Sequence, residues 1–152
     1  MGKTQTNELN IRVIRKDDMD RVVALDARVT GGERREYYER KFAQILGDVQ
    51  HVATSLVAEQ DGKILGFVMG DLYLGEFGIP ETTATVDTIG VDPDIRRKGI
   101  ATALMQELRG NMKTAGVERM ITHIEWGNWD LLRFFHEHGF EPSRTVSLEL
   151  KP

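Results

Sequence analysis

The chain of 152 residues contains no cysteine, which excludes disulfide bridges, thiolate metal sites and cysteine nucleophiles. A reducing cytosol is the natural setting for such a chain, and we expect a cytoplasmic protein. No apolar run approaches the roughly 20 residues that a membrane helix needs. Nothing at the N-terminus resembles the apolar stretch of a signal peptide, so no membrane association is expected. A basic surplus is also missing. Lys and Arg number 20 against 24 Asp and Glu, a net charge of -4, whereas proteins that hold nucleic acid through its phosphates carry excess positive charge. No nucleic-acid partner is expected. Internal repeats, low-complexity tracts and linker-like stretches are absent, so residues 1–152 read as a single domain. Residues 1–8 read as a frayed tail; Met1-Gly2-Lys3-Thr4-Gln5-Thr6 formally fits a myristoylation pattern, on only three fixed letters.

What is present is a regular alternation of element signals. Residues 11–14 alternate apolar and polar and suggest a first strand. Carboxylates Asp17 and Asp20 ahead of Val22, Val23 and Leu25 suit the positive end of a helix. Thr30-Gly31-Gly32 breaks it, and a second helical pattern runs over 33–46 to Gly47. Two β-rich runs, 55–59 and 64–73, flank Asp61-Gly62, a strong hairpin signal. A glycine- and proline-bearing loop over 75–82 leads to a strand over 83–91. A long helix follows, with Ile100, Leu104, Met105, Leu108 and Met112 on one face, ended by Gly116. Residues 117–126 read as a strand, 128–138 as a helix stopped by Gly139, and 145–150 as a last strand. The order predicts an α/β (mixed α+β) fold, a mixed and mostly antiparallel sheet of six or seven strands with helices on both faces.

The chemically informative stretch runs from Thr88 through Ile89-Gly90-Val91-Asp92-Pro93-Asp94-Ile95 to Arg96-Arg97-Lys98-Gly99-Ile100-Ala101-Thr102. It reads as strand, tight turn and helix N-terminus. Successive N–H groups in such a turn form an anion-binding concavity, and the helix dipole adds positive potential. Arg96, Arg97 and Lys98 put formal charge at the same place. A phosphate or pyrophosphate is the natural guest. The Walker loop is absent, and the three-glycine dinucleotide fingerprint does not fit this mid-chain strand. An isolated basic triplet would be read as a solvated turn; with Gly99 and Ala101 opening a helix, the anion site is the better reading.

Arg96-Arg97-Lys98-Gly99-Ile100-Ala101 resembles the acyl-CoA signature of the GNAT superfamily of N-acetyltransferases: Gln or Arg, two residues, Gly, one residue, Gly or Ala. The resemblance extends upstream through Ile89-Gly90-Val91-Asp92-Pro93. Downstream it continues at Asn128, Phe134, Phe135 and Gly139-Phe140, and the element order over 11–150 is similar as well. It implies an enzyme that moves an acetyl group from acetyl-CoA to a primary amine by direct attack through a tetrahedral intermediate, with no metal. The acceptor would be a small molecule or a protein amine. The resemblance assigns the pyrophosphate to backbone N–H groups of Arg97 to Thr102. It assigns the pantetheine arm to the main chain of Ile89 and Val91, opened by a bulge near Gly90 that also offers an oxyanion donor. Asn128 would touch the coenzyme arm, and as plain structure would cap the last helix.

An alkyl ammonium has a pKa of about 10.4, so attack near neutrality needs a base, worth roughly 10²–10⁴-fold. The family's positions correspond here to Thr85 and Asp87 on the fourth strand and to His123 on the fifth, with Glu125 on the same face as His123. Thr85 has no usable pKa; His123 and Asp87 rank level as base, ahead of Glu125. A hydrogen-bonded sheet histidine and an Arg-paired aspartate are the plain structural alternatives. Phe135 stands where the family commonly has a tyrosine general acid. A thiolate leaving group tolerates that loss better than an alkoxide would; water, His136, Tyr37, Tyr38 or Tyr73 could substitute, and Phe135 would pack on the pantetheine arm or the core. The missing hydroxyl also keeps open an acyl-CoA-binding sensor or regulatory domain with little catalysis. After the last helix only residues 141–152 remain, enough for one strand, which leaves the acceptor side open or completed by a second subunit in a homodimer.

Overall fold

The computed structural model describes residues 8–47, 53–74, 77, 81–95 and 99–152. The expected N-terminal fraying and the myristoylation pattern lie outside them, Glu8 apart, as does most of the 75–82 loop. Strand β1 (Asn10–Val13) leads through a single 3-10 turn (Lys16–Asp18) to helices α1 (Met19–Thr30) and α2 (Arg35–Gly47). The hairpin β2 (Leu56–Gln60) and β3 (Lys63–Leu74) follows, then β4 (Thr82–Val91), a 3-10 turn (Pro93–Ile95), α3 (Ile100–Thr114), β5 (Arg119–Thr122) and α4 (Trp129–Glu137). The hairpin turn bears out the Asp-Gly signal: Asp61 and Gly62 both have positive φ, 51° and 76°, as a two-residue turn matching the strand twist requires.

The strands lie in the order β1-β2-β3-β4-β5. All neighbours are antiparallel except β4 and β5, which are parallel and joined through α3. Both faces are covered, so side chains along β2 and β3 are apolar on each side. Leu56, Ala58, Leu65 and Val68 enter one core with Ile100, Leu104, Leu108 and Met112 of α3 and Phe135 of α4. Val57, Ile64, Phe67 and Met69 enter the other with Val22, Val23 and Leu25 of α1 and Tyr38 and Phe42 of α2. A one-residue slip of either strand would exchange the two sets.

Three expectations need correction. The sheet has five strands among the described residues, rather than six or seven. Residues 145–150 have a strand-like sequence but no ladder partner among the described residues. β5 covers only Arg119–Thr122, so His123 and Glu125 lie beyond its end. Finally, the bulge sits at Asp87 and not near Gly90: Met69 pairs with Thr88 and Gly70 with Val86, leaving Asp87 as the extra residue. Gly90 serves packing instead, because a Cβ there would come 2.7 Å from the ring of Phe67.

Candidate active site

β4 and β5 run side by side only from Thr83 opposite Arg119 to Val86 opposite Thr122. At the last pair the Thr122 hydroxyl donates to the Val86 carbonyl at 2.9 Å. This satisfies a carbonyl at the point where the strands part. From Asp87 to Val91, β4 has β3 on one side and, among the described residues, no strand on the other. The Asp92 N–H donates to the Leu65 carbonyl of β3 at 2.8 Å. Because successive residues of a strand turn their peptide groups to opposite sides, Gly90 and Thr88 address β3. The main chain of Ile89 and Val91 therefore addresses the open side, with donors and acceptors free to pair with an extended guest.

The open strand leads directly to the N-terminus of α3. Gly99 precedes that helix with φ 74°, a conformation that costs an L-residue with a side chain about 1–2 kcal/mol. The Ala103 N–H reaches back to the Gly99 carbonyl at 2.9 Å. The N–H groups of Ile100, Ala101 and Thr102 consequently have no acceptor within the helix, the usual state of a first turn and the basis of anion binding there. Arg96, Arg97 and Lys98, the charged part of the expected signature, lie outside the described residues. The side chain of Thr102 is engaged from α4, its hydroxyl 3.3 Å from Nε2 of His138.

Asp92, to which the sequence alone assigns no role, anchors this turn. It is buried, yet it accepts from Arg28 at 2.9 Å, Arg21 at 3.3 Å and the Asp94 N–H at 3.0 Å. Arg28 also reaches Asp94 at 2.8 Å. The Asp94 N–H first, then the two guanidinium charges, hold the Asp92 carboxyl below its ordinary pKa. The signal was available in part: Arg21 and Arg28 are two turns apart on α1, hence on one face, but nothing local says which carboxylate they meet.

On the α1–α2 face, Lys41 donates to Asp87 at 2.6 Å. Burial works to lower the Lys41 pKa, but the hydrogen bond and charge of Asp87 outweigh it and the net shift is upward. Asp87 thus has a lysine partner where an arginine was the expected alternative. Next to it, the buried Tyr38 hydroxyl lies 3.3 Å from that of Thr88 and accepts from Arg34 at 3.3 Å. Desolvation first, and the nearby Asp26, drive the Tyr38 pKa well above that of a free phenol. His123 and Glu125 are exposed on the segment that continues β5, and neither side chain makes a hydrogen bond or ion pair among the described residues; the Glu125 carbonyl accepts from the Asn128 N–H at 3.0 Å. Asn128 caps α4, its side-chain oxygen accepting from the Leu131 N–H at 3.3 Å. Phe135 is buried in the core against Phe134 and Phe140, with ring centroids 5.2 and 5.0 Å away. Among the described residues no group of three or more His, Asp or Glu is arranged to hold a metal ion, and no helix is long and apolar enough to cross a membrane.

The parallel strands β4 and β5 thus part at the foot of α3, whose first N–H groups have no acceptor within the helix. Residues 19–140 match the acetyltransferase (GNAT) family. The match covers most of the chain, which therefore belongs to this family of acetyltransferases. Among solved structures, the chain is similar to the aminoglycoside N-acetyltransferase AAC(6')-Iy in complex with CoA, with a TM-score of 0.79 at 20% identity over 98% of each chain. It is similar to an aminoglycoside acetyltransferase from an uncultured soil metagenomic sample in complex with sisomicin, with a TM-score of 0.72 at 16% identity over 95% of this chain and 96% of that one. A ribosomal-protein-alanine N-acetyltransferase from Brucella melitensis biovar Abortus 2308 gives a TM-score of 0.71 at 23% identity, over 95% and 99%.

Proposed function

We propose that the chain, as one GNAT-like domain, transfers an acetyl group from acetyl-CoA to a primary amine by direct attack on the thioester. The observation that carries this reading is the parting of β4 from β5 after Val86, which leaves the main chain of Ile89 and Val91 open beside the free N–H groups of Ile100, Ala101 and Thr102. An extended pantetheine arm has the length and the amide groups to pair with the strand. A pyrophosphate suits the helix end, with Gly99 shaping the turn and Arg96, Arg97 and Lys98 supplying charge. Gly90 keeps the strand close-packed against Phe67 while the arm is held. Asn128 and Phe135 border the coenzyme from α4, the first at the helix cap and the second through the core.

His123 is the base we favour. It is exposed and its side chain is free of partners among the described residues, and an imidazole nitrogen can accept the proton of the attacking amine directly or through a water. Asp87 is committed to Lys41, which makes it a better positioning group for the base or the acceptor than a proton acceptor itself. Glu125 is the third candidate. With Phe135 lacking a hydroxyl, the thiolate departs unassisted or takes its proton from water. The aminoglycoside acetyltransferases among the structural neighbours favour a small polyamine-like acceptor over a peptide. A reducing cytoplasm suits a chain without cysteine.

Thiol release from acetyl-CoA across a panel of amines tests the reading. His123→Ala should lower kcat by about 10²-fold or more and leave the KM for acetyl-CoA near its original value. CoA binding without turnover on any amine would favour the sensor reading instead, and no CoA binding would defeat both.

A further inference from the structure

The chain holds a primary amine of its own at the closed end of the open strand. The last pair joining β4 to β5 is Val86 with Thr122, and the Thr122 hydroxyl seals it by donating to the Val86 carbonyl. Asp87 is the next residue, the first of the open stretch and the extra residue of the bulge against β3. An acyl-CoA with its pyrophosphate at the head of α3 and its arm along Val91 and Ile89 runs toward lower residue numbers. From Val91 to Asp87 it follows about 13 Å of strand, and the sealed pair stops it there. At that point the Asp87 carboxylate accepts from the Lys41 ammonium at 2.6 Å.

The flexible stem of this lysine is held in place. Tyr37, one turn earlier on α2, has its ring centroid 5.8 Å from the Lys41 nitrogen. Gln44, one turn later, donates to Asp71 of β3 at 2.6 Å and fixes the helix over the sheet. As a mere clamp between α2 and the sheet, the Lys41–Asp87 pair would duplicate the Gln44–Asp71 link, which needs no amine. The side chains of Lys41 and Asp87 are each 22% exposed, so the amine is shielded but not sealed off. The exposed His123 follows Thr122 directly in the chain, at the same end of the open stretch.

We infer that Lys41 is a self-acetylation site, whose Nζ takes the acetyl group of an acetyl-CoA held by the same chain when no acceptor is bound. The ammonium first gives one proton to solvent or to His123. Its nitrogen then attacks the thioester carbonyl carbon. The C–N bond forms, the C–S bond breaks, and the CoA thiolate leaves and takes the second proton of the amine. Asp87 favours the charged form of Lys41, so the step is slower than transfer to a free acceptor and is seen in its absence. The product is a neutral amide, and Asp87 loses its counter-charge on the acceptor side. The inference rests on the acetyl-transfer reading proposed above.

Incubating the full chain with acetyl-CoA alone, followed by intact-mass and peptide mass spectrometry, tests this. Lys16, Lys63, Lys113 and Lys151 are exposed and serve as internal standards, because acetylation from bulk solution would favour them over a shielded, ion-paired lysine. Lys41 should be modified first, at least about tenfold faster than these four, since the reaction is within one molecule. Its rate should saturate with acetyl-CoA and not depend on protein concentration, and the preference should vanish in denaturing urea. Lys41→Arg keeps a cation beside Asp87 and should lose the modification while still binding CoA in calorimetry. If the chain binds CoA and acetylates a free amine but leaves Lys41 unmodified, the inference fails and the acetyl-transfer reading stands. Modification of Lys41 at the pace of the exposed lysines, or in proportion to protein concentration, also overturns it. A chain that neither binds CoA nor acetylates any amine defeats both.

Discussion

Replacing Asp92 by alanine probes the link between helix α1 and the turn that leads into α3. The Asp92 side chain is 4% exposed and accepts from two guanidinium groups and one backbone N–H. Removing one partner of a buried ion pair costs about 3–5 kcal/mol when the remaining charge is trapped. Here the charges left behind are not trapped, because the side chains of Arg21 and Arg28 are 31% and 40% exposed and can rehydrate. The loss should therefore fall to about 2 kcal/mol, discounted for solvent screening. For a domain of this size that corresponds to a Tm lower by roughly 4–8 °C. The turn from Pro93 to Ile95 loses its anchor to α1 in the same step. The KM for acetyl-CoA should rise several-fold with a smaller change in kcat, because the donors at the head of α3 are no longer held in place beforehand. Calorimetric melting and steady-state thiol-release kinetics measure both. If Asp92→Ala melts like the parent and binds acetyl-CoA as well, the pairs with Arg21 and Arg28 carry no weight, and the reasoning that makes Asp92 the anchor of the turn is wrong.

Gly99→Val tests the helix mouth by a different route. A Cβ at Gly99 meets no atom within 4 Å, so any effect must come from the positive φ of 74°; weaker CoA binding in calorimetry is expected, and unchanged binding would count against the site. Acid should unfold the protein in a characteristic window. Burial alone would raise the Asp18 carboxyl, but the Arg12 hydrogen bonds and the Arg15 N–H outweigh it, and both Asp18 and Asp92 are held below their ordinary pKa. Their contribution to stability is full above the unfolded value of about 3.9 and disappears as pH falls through the lower folded values. Urea midpoints should therefore be flat with respect to these groups near pH 6 and drop below about pH 4, and Asp18→Asn should flatten that drop. Lys41→Met removes the partner of Asp87; if Asp87 only positions, kcat should fall while the acidic limb of the pH–rate profile stays in place, whereas a displaced limb would make Asp87 the base.

Much of this was legible along the chain because it depends on near neighbours. The turn at Asp61-Gly62, the apolar stripe of α3, the cap at Asn128 and the glycine before Ile100 each follow from local sterics or from a period of 2 or 3.6 residues. Family membership was legible too, through the spacing of Gly99 and Ala101 behind Ile89-Gly90-Val91-Asp92-Pro93. Three things were decided only when distant segments met. The bulge fell at Asp87, since the pairing of β4 with β3 sets the register, while Gly90 was reserved for the ring of Phe67. Asp92 became an anchor because α1 carried two arginines to it from more than sixty residues away in sequence. The strand-like tail over 145–150 pairs with no strand among the described residues, because a ladder needs a second strand in reach, and an alternating pattern fixes which residues share a face without fixing what lies beside them.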